Sequence, residues 1–376
     1  MRCYITSLLL LGMVLAARAD ALDTWTKQTS GAGQNLYGVA YGNHQYLCVG
    51  QSGVILVSSN GTAWQSVSSG VTNDLLAISF AADQFLAVGK GGTMVRSTNG
   101  ASWLMQNSST TNQLNGIARC GSLFLATGSS GTLLTSPDGI SWSSQTSGTT
   151  RSLVGAAFGN DLFIAVGQGQ SNPGTVLTSS NAINWVDRSS NNLGLAFYGI
   201  AFGGNVFVAI DARGIASTTP DGINWTSGRT VNSDYVFGIT FAQGFFVGVG
   251  GPFGGGSQKI VTSPDGANWR LRPVSVTNSA ALRGVTYGNG YFIAVGDKGM
   301  ILQSGAVSTL RLTTLSGGAT LLLDGEIGRS YRLQSSQDLS QSNWTDVVTV
   351  TNTAEATQVF DPSPIAQQRF YRAVSP

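Results

Sequence analysis

The sequence predicts an all-β chain: a seven-bladed β-propeller closed by its own N-terminal strand, followed by a small β-sandwich-like module. Three observations carry that expectation. Trp25, Trp64, Trp103, Trp142, Trp185, Trp225 and Trp269 lie 39, 39, 39, 43, 40 and 44 residues apart, and a period near forty residues belongs to solenoids and propellers. Each repeat holds four short strand-like segments punctuated by turn residues, and none shows a helical apolar period of useful length. The last repeat lacks its tryptophan strand, and the missing piece stands at the other end of the chain.

The elements follow in order. The first strand recurs as "LYGVAY", "LLAISF", "LNGIAR", "LVGAAF", "FYGIAF", "VFGITF" and "LRGVTY". In the third copy it is followed by "LFLATG", "GTLLTS" and "ISWSSQ". The seventh copy runs through "YFIAVG" and "GMILQS" and stops; "DTWTKQTS", residues 23–30, supplies the absent strand with Trp25. A linear solenoid has no reason to split one repeat between its ends, whereas a ring removes its exposed sheet edges this way. Six first strands end in an aromatic residue, Tyr41, Phe80, Phe158, Phe202, Phe241 and Tyr287, but the third ends in Arg119. That exception predicts a locally opened blade edge in preference to a contact site.

Between the third and fourth strands stands "SPDGISW", with the variants "SSNGTAW", "STNGASW", "SSNAINW", "TPDGINW" and "SPDGANW". Proline presets φ, aspartate folds its side chain onto the local backbone, and glycine takes φ > 0. The tryptophan that follows is an anchor packed between blades. Near-equal copies in six repeats mark a structural hairpin, because a reaction needs one site. Asp138, Gly139, Asp221, Gly222, Asp265, Gly266 and the seven tryptophans are therefore assigned structural roles. Ala182 replaces the glycine in one copy; if its φ is positive the strain is about 1–2 kcal/mol, so Ala182→Gly is expected to raise the melting temperature.

The motif S-x-[DN]-G-x-x-W resembles the Asp-box (BNR-type) repeat, S-x-D-x-G-x-T-W, shortened by one residue. That repeat belongs to sialidase-like propellers and to photosystem II assembly-factor-like propellers, and the likeness runs over roughly residues 22–305. The resemblance implies that the box is a structural hairpin on the face away from the active site. It implies little about activity.

Residues 1–19 read as a signal peptide: Arg2, an apolar run from Leu8 to Ala17, and "ARA" before Asp20. The run is too short to cross a bilayer, and no other segment is long and apolar enough. The expected location is outside the cytoplasm, secreted, periplasmic or on the cell surface. The propeller is assigned to residues 20–306 and the second module to 307–376. The latter carries "YRLQSSQDL" and a final "RFYR", and resembles C-terminal modules appended to many exported bacterial proteins. Sorting, surface attachment and weak ligand binding all suit such a module.

Net charge is +2 and charged residues are 10% of the chain, against a usual ~25%. Without a basic stripe, nucleic acid is not an expected partner. Cys48 and Cys120 lie in non-adjacent repeats, so no disulfide is expected, and Cys48 falls in a column of small buried residues. The candidate binding face is the one opposite the boxes. It carries the loops between second and third strands and the links between blades. Two of those loops are lengthened, "GQGQSNPG" and "GGPFGGGSQ", and insertions on one face often mark a binding surface. The candidate ligand-binding residues are Lys90, Arg151, Gln168, Asn172, Asp211, Arg213, Asp234, Phe253, Asp297 and Lys298. Their mostly neutral surroundings suit a polar ligand, a glycan or a protein.

An enzyme is the less favoured reading. Glu326 and Glu355 are the only glutamates, both beyond the propeller. Glycosidases generally need a carboxylate pair, and a sialidase-like mechanism would lack the glutamate that activates its tyrosine; a sialidase-like or lyase-type carbohydrate-active enzyme is therefore the alternative. The single histidine, His44, falls in a turn on the box side, away from any place a triad or metal site would use. "GGPFGGGS" is followed by no helix, so it is not a phosphate loop. No catalytic residue, metal or cofactor is assigned.

Overall fold

A computed structural model describes residues 21–120, 123–168, 174–189, 196–211, 213–229, 235–251, 258–276, 280–307, 309–314, 319–325, 329–337, 344–353, 356–361 and 370–374. Residues 1–19, expected from the sequence to be a signal peptide, lie outside them. Among the described residues, seven sheets have four antiparallel strands each and two have three. The first sheet is a meander of Leu36–Gly42, Gln45–Gly50, Ile55–Ser58 and Gln65–Val67. Five more follow in chain order, beginning at Leu75–Ala81, Leu114–Cys120, Leu153–Gly159, Phe197–Gly203 and Val236–Ala242. The seventh runs Leu282–Gly288, Tyr291–Gly296, Met300–Ser304 and then Trp25–Gln28, so its edge strand comes from the N-terminus.

Both faces of these sheets are buried, which is why their second strands are continuous apolar runs. Every residue of Gln84–Gly89 is buried. On one face of the first sheet, Leu47, Val49 and Ile55 pack with Ile78, Phe85, Ala87 and Val95 of the second, and Trp103 covers the cluster. On the other face, Leu36, Tyr46, Cys48 and Leu56 pack with Ile293, Val295 and Ile301 of the seventh, under Trp64. First strands neighbour one another in sequence, and Leu282–Gly288 lies against Leu36–Gly42. Sheets stacked face to face on both sides are what a propeller requires. Cys48 is a small core residue, and burial pushes its thiol well up.

Two compact units divide the chain. One is Thr26–Gly288 with Ile293–Gln303; the other comprises the described residues of Met1–Trp25, Asn289–Phe292 and Ser304–Pro376. In the second, Thr309–Thr314, Ala319–Asp324 and Ala356–Asp361 form one three-stranded sheet, and Thr345–Thr351, Ser330–Ser336 and Phe370–Val374 another. Leu310, Leu321 and Val359 of the first share an apolar cluster with Tyr331, Leu333 and Tyr371 of the second. The buried Tyr371 hydroxyl donates to Asp361 at 3.0 Å.

The repeated hairpin is held by its own side chains. In "SPDGISW" the Ser136 hydroxyl accepts the Gly139 N–H at 2.8 Å, while Asp138 Oδ1 accepts the N–H groups of Ile140 and Ser141, each at 2.8 Å. Gly139 has φ 74°. Trp142 Nε1 donates back to the Gly139 carbonyl at 3.3 Å, and Trp64, Trp103, Trp185, Trp225 and Trp269 make the same bond three residues back. Trp25 does so too, donating to Leu22 at 2.8 Å.

Three of these hairpins carry a carboxylate. Asp138 is held down to about 2, chiefly by the Ser141 N–H, then by the Ile140 N–H and the Ser136 hydroxyl. Burial pushes Asp265 up, but hydrogen bonds from Asn268, Ala267 and Ser263 outweigh it and leave the group at about 2. Asp221 is lowered further, first by the Asn224 and then the Ile223 N–H. An unfolded aspartate titrates near ~3.9. The unfolded chain therefore binds more protons than the folded one between about pH 4 and 2, and stability is lost as pH falls through that window. Asn60, Asn99 and Asn181 occupy the same place in the other hairpins and do not titrate. The triple variant Asp138→Asn, Asp221→Asn, Asp265→Asn is expected to flatten the pH dependence of urea unfolding there; an unchanged slope would place the acid sensitivity elsewhere.

Ala182 has φ 57°, the left-handed conformation expected for its position. Its methyl group is fully buried in a cluster with Leu125, Phe163 and Leu177, and the partly buried Leu123 packs against that cluster. In the two preceding hairpins the corresponding neighbours are polar: Gln45 donates to Asn99 and Gln84 to Asp138. Glycine at 182 would relieve about 1–2 kcal/mol of strain. It would forfeit about 0.8 kcal/mol of methyl burial and about 0.4–1 kcal/mol through the freer unfolded chain. The expected rise in melting temperature is thus replaced by a change within about 1 kcal/mol of zero, measurable by denaturant unfolding.

Arg119 does not open its sheet. It pairs with Phe124 in the ladder, and its guanidinium sits 5.3 Å from the Phe124 ring centroid. In neighbouring sheets that place is taken by an aromatic ring, as in Phe80–Phe85 and Phe158–Phe163, both 4.6 Å apart. A cation–π contact replaces a ring pair.

Candidate functional site

The loops between second and third strands and the links between sheets share one face. Backbone bonds join them: the N–H groups of Gln51, Lys90, Ser129, Gly131, Gln168, Gly251 and Asp297 donate to Asn35, Asp74, Gln113, Arg151, Ser152, Tyr235 and Ala281.

The first strands begin at this face, and six of them carry the same irregularity. The register slips between residues one and three, as between Leu36 and Gly38 or Val236 and Gly238. A bulge of this kind re-aims the side chain of the extra residue. Position one is buried in every copy, and position two is partly exposed in every copy. Position three is glycine or alanine, and in some copies a larger residue has no room: a Cβ at Gly238 would lie 2.6 Å from the Arg283 carbonyl oxygen, and one at Gly284 2.9 Å from that of Tyr37. Around the ring of first strands, position two therefore presents Tyr37, Leu76, Asn115, Val154, Tyr198, Phe237 and Arg283.

These seven are not equivalent. Asn115 is tied to Ser152 and Leu153 of the next sheet. Tyr198 meets Phe237 edge to face at 5.3 Å, and Tyr235 stacks on Phe237 at 5.9 Å with rings 1° from parallel. The Arg283 guanidinium lies 4.4 Å from the Phe237 centroid and binds Asp297 through two hydrogen bonds of 2.9 Å. Burial, then the nearby Tyr235, pushes the Tyr198 phenol up. An arc of aromatic faces braced by a guanidinium thus occupies one side of the mouth. The reading of loops alone missed Tyr198, Phe237 and Arg283; the second column of the aligned first strands is where they were visible.

The charged candidates mostly organise their own loops. Lys90 pairs with Asp74 at 2.7 Å, which lowers Asp74 and raises Lys90; the Ser52 N–H also lowers Asp74. Asp211 is fully buried, and its Oδ1 accepts the N–H groups of Arg213 and Ile215 at 2.8 and 3.0 Å. Arg213 Nη2 returns to Asp211 Oδ2 at 3.1 Å, with its side chain half exposed. Asp297 holds Arg283. Lys298 is exposed, with φ 56° and its backbone N–H bound by Asn35 Oδ1 at 2.9 Å. Gln168 is exposed beside the Ser152 link. Asn172, Asp234 and Phe253 lie outside the described residues.

Arg151 belongs to the link after the third sheet, on this same face, and its carbonyl accepts the Gly131 N–H at 2.8 Å. It lines an open groove of about 700 Å³ with Ser109, Thr110, Ser130, Ser144 and Thr149.

No protein-family model and no curated protein sequence matches this chain. Solved structures do resemble it. YCF48 from Cyanidioschyzon merolae is 17% identical with a TM-score of 0.58, over 75% of this chain and 98% of that one. Virginiamycin B lyase from Staphylococcus aureus is 9% identical with a TM-score of 0.66, over 76% and 99%. The WD40 β-propeller domain of Doa1 is 12% identical with a TM-score of 0.60, over 75% and 97%. With seven four-stranded sheets and these neighbours, the fold of this chain is a β-propeller.

Proposed function

We propose that this is an exported binding protein whose loop-bearing propeller face takes a polypeptide segment at the mouth of the ring. The carrying observation is the second column of the first strands. The flanking positions keep one buried and one small residue, yet position two varies from Val154 to Arg283 and gathers aromatic side chains on one side. Packing does not ask for that variety, so recognition is its best use. Aromatic and arginine side chains are the usual anchors of binding interfaces. A structure of YCF48 bound to D1 peptide, 14% identical with a TM-score of 0.59, supports a polypeptide ligand on this fold. In this reading Trp25–Gln28 is the clasp of the ring, the hairpins are Asp-boxes, residues 1–19 direct export, and residues 307–376 form an appended sandwich module.

Peptide and glycan arrays probed with the mature chain test the proposal. Peptides that bind should lose at least tenfold in affinity with the double variant Tyr198→Ala, Phe237→Ala, and less when Gln168–Asn172 is shortened. Binding of glycans alone, or affinity unchanged in the double variant, would overturn it.

A further inference from the structure

The groove lined by Arg151 lies apart from the aromatic arc. Its lining mixes hydroxyl side chains, Ser109, Thr110, Ser130, Ser144 and Thr149 among them, with no acidic residue. Arg151 Nη1 is out of contact with solvent and has no hydrogen-bond partner. In the two preceding links the same position holds an amide that is satisfied: Asn73 donates to Thr93 at 2.8 Å and Asn112 to Thr132 at 2.9 Å. The third link thus exchanges a paired neutral donor for a cationic one whose acceptor is absent. A buried donor without an acceptor is costly, and more so when charged. Arg151 lines the groove, so a turn of its guanidinium brings the unpaired Nη1 to an acceptor held there, and guanidinium geometry matches a carboxylate.

We infer that this groove is a subsite for a carboxylate carried by a polypeptide, held by Arg151 and the surrounding hydroxyls. The carboxylate follows from the groove itself; the choice of a polypeptide rests on the function proposed above. The lining also favours it, since no aromatic face is present for a sugar ring to stack on. The size falls within the roughly 300–1,000 Å³ typical of ligand pockets.

Calorimetric titration of the mature chain with octa-L-glutamate, octa-L-glutamine and trigalacturonate is the test. Octaglutamate should bind at least tenfold more tightly than octaglutamine, and its affinity should fall with added salt. Arg151→Gln should weaken octaglutamate at least tenfold, and Arg151→Lys less. The melting temperature of Arg151→Gln should equal or exceed that of the parent, because an unsatisfied buried donor is removed. The inference is overturned by no binding of octaglutamate, by equal affinity in Arg151→Gln, by a melting temperature that falls with the affinity, or by trigalacturonate binding more tightly. Loss of octaglutamate binding in Tyr198→Ala, Phe237→Ala but not in Arg151→Gln would overturn the groove and leave the arc standing.

Discussion

Removal of Asp20–Ser30 is expected to leave an aggregating or poorly folded protein. The segment supplies the edge strand Trp25–Gln28 of the seventh sheet, where Thr26 Oγ1 donates to the Gln303 carbonyl at 3.3 Å. Without it that sheet ends at Met300–Ser304, whose residues are all buried, and a bare apolar edge invites pairing with other chains. Trp25 carries much of the effect. It is 5% exposed, whereas the six hairpin tryptophans are only partly buried. Loss of a buried Trp side chain costs about 3–5 kcal/mol, against a net stability of about 5–15 kcal/mol for a folded chain. Trp25→Ala should therefore destabilise more than Trp142→Ala, contrary to the equal effect that equal spacing alone would suggest. Urea unfolding of the two variants checks the order. A truncated protein that is a soluble monomer with the parental melting temperature would refute the clasp.

Asp211→Ala is expected to lose about 2–4 kcal/mol, an effect on folding before any effect on binding. Its position is glycine in the other six sheets: Gly50, Gly89, Gly128, Gly167, Gly250 and Gly296. A Cβ at any of them would approach a backbone carbonyl oxygen, at 2.1 Å from Asn35 for Gly50 and 1.9 Å from Tyr235 for Gly250. The fifth sheet holds its loop differently, with the Asp211 carboxylate accepting the Arg213 and Ile215 N–H groups and the Arg213 guanidinium. Alanine would strand these donors beneath the loop; a lost acceptor costs about 1–3 kcal/mol per buried group, and breaking a buried ion pair about 3–5 kcal/mol. The half-exposed Arg213 regains water, which keeps the total toward the lower end. Asp211→Asn retains an acceptor for the two N–H groups and should lose about half as much. A parental unfolding midpoint for Asp211→Ala would show that the carboxylate does not hold the loop.

The repeat was legible because strand period, turn chemistry and tryptophan spacing are all local properties of the chain. Four strands per unit, the hairpin at "SPDGISW" and the strand at Trp25 could be read before any contact was known. The positive φ of Ala182 could be read the same way, since a turn dictates its own backbone. Its stability effect could not, because the sign depends on whether an apolar cluster or a glutamine meets the hairpin from the neighbouring sheet. Arg119 misled for a related reason: alone it looks out of place in an aromatic column, and only Phe124 across the ladder shows that a cation serves there.

The loop residues divide along the same line. Lys90, Asp211, Arg213 and Asp297 look available in sequence because the chain does not show which nearby residue each will pair with, and folding engages each in an ion pair. Tyr198, Phe237 and Arg283 look like ordinary strand residues until the fold brings Arg283 over the Phe237 ring and the Tyr198 ring against its edge. Arg151 looks like one more polar link residue until its nitrogen is found buried without an acceptor. By itself the sequence determined the repeat, the strands and the turns, because these depend on residues within about forty positions of one another. Tertiary structure alone decided which side chains remain free to meet a ligand, because burial and pairing depend on how strands and loops meet in space.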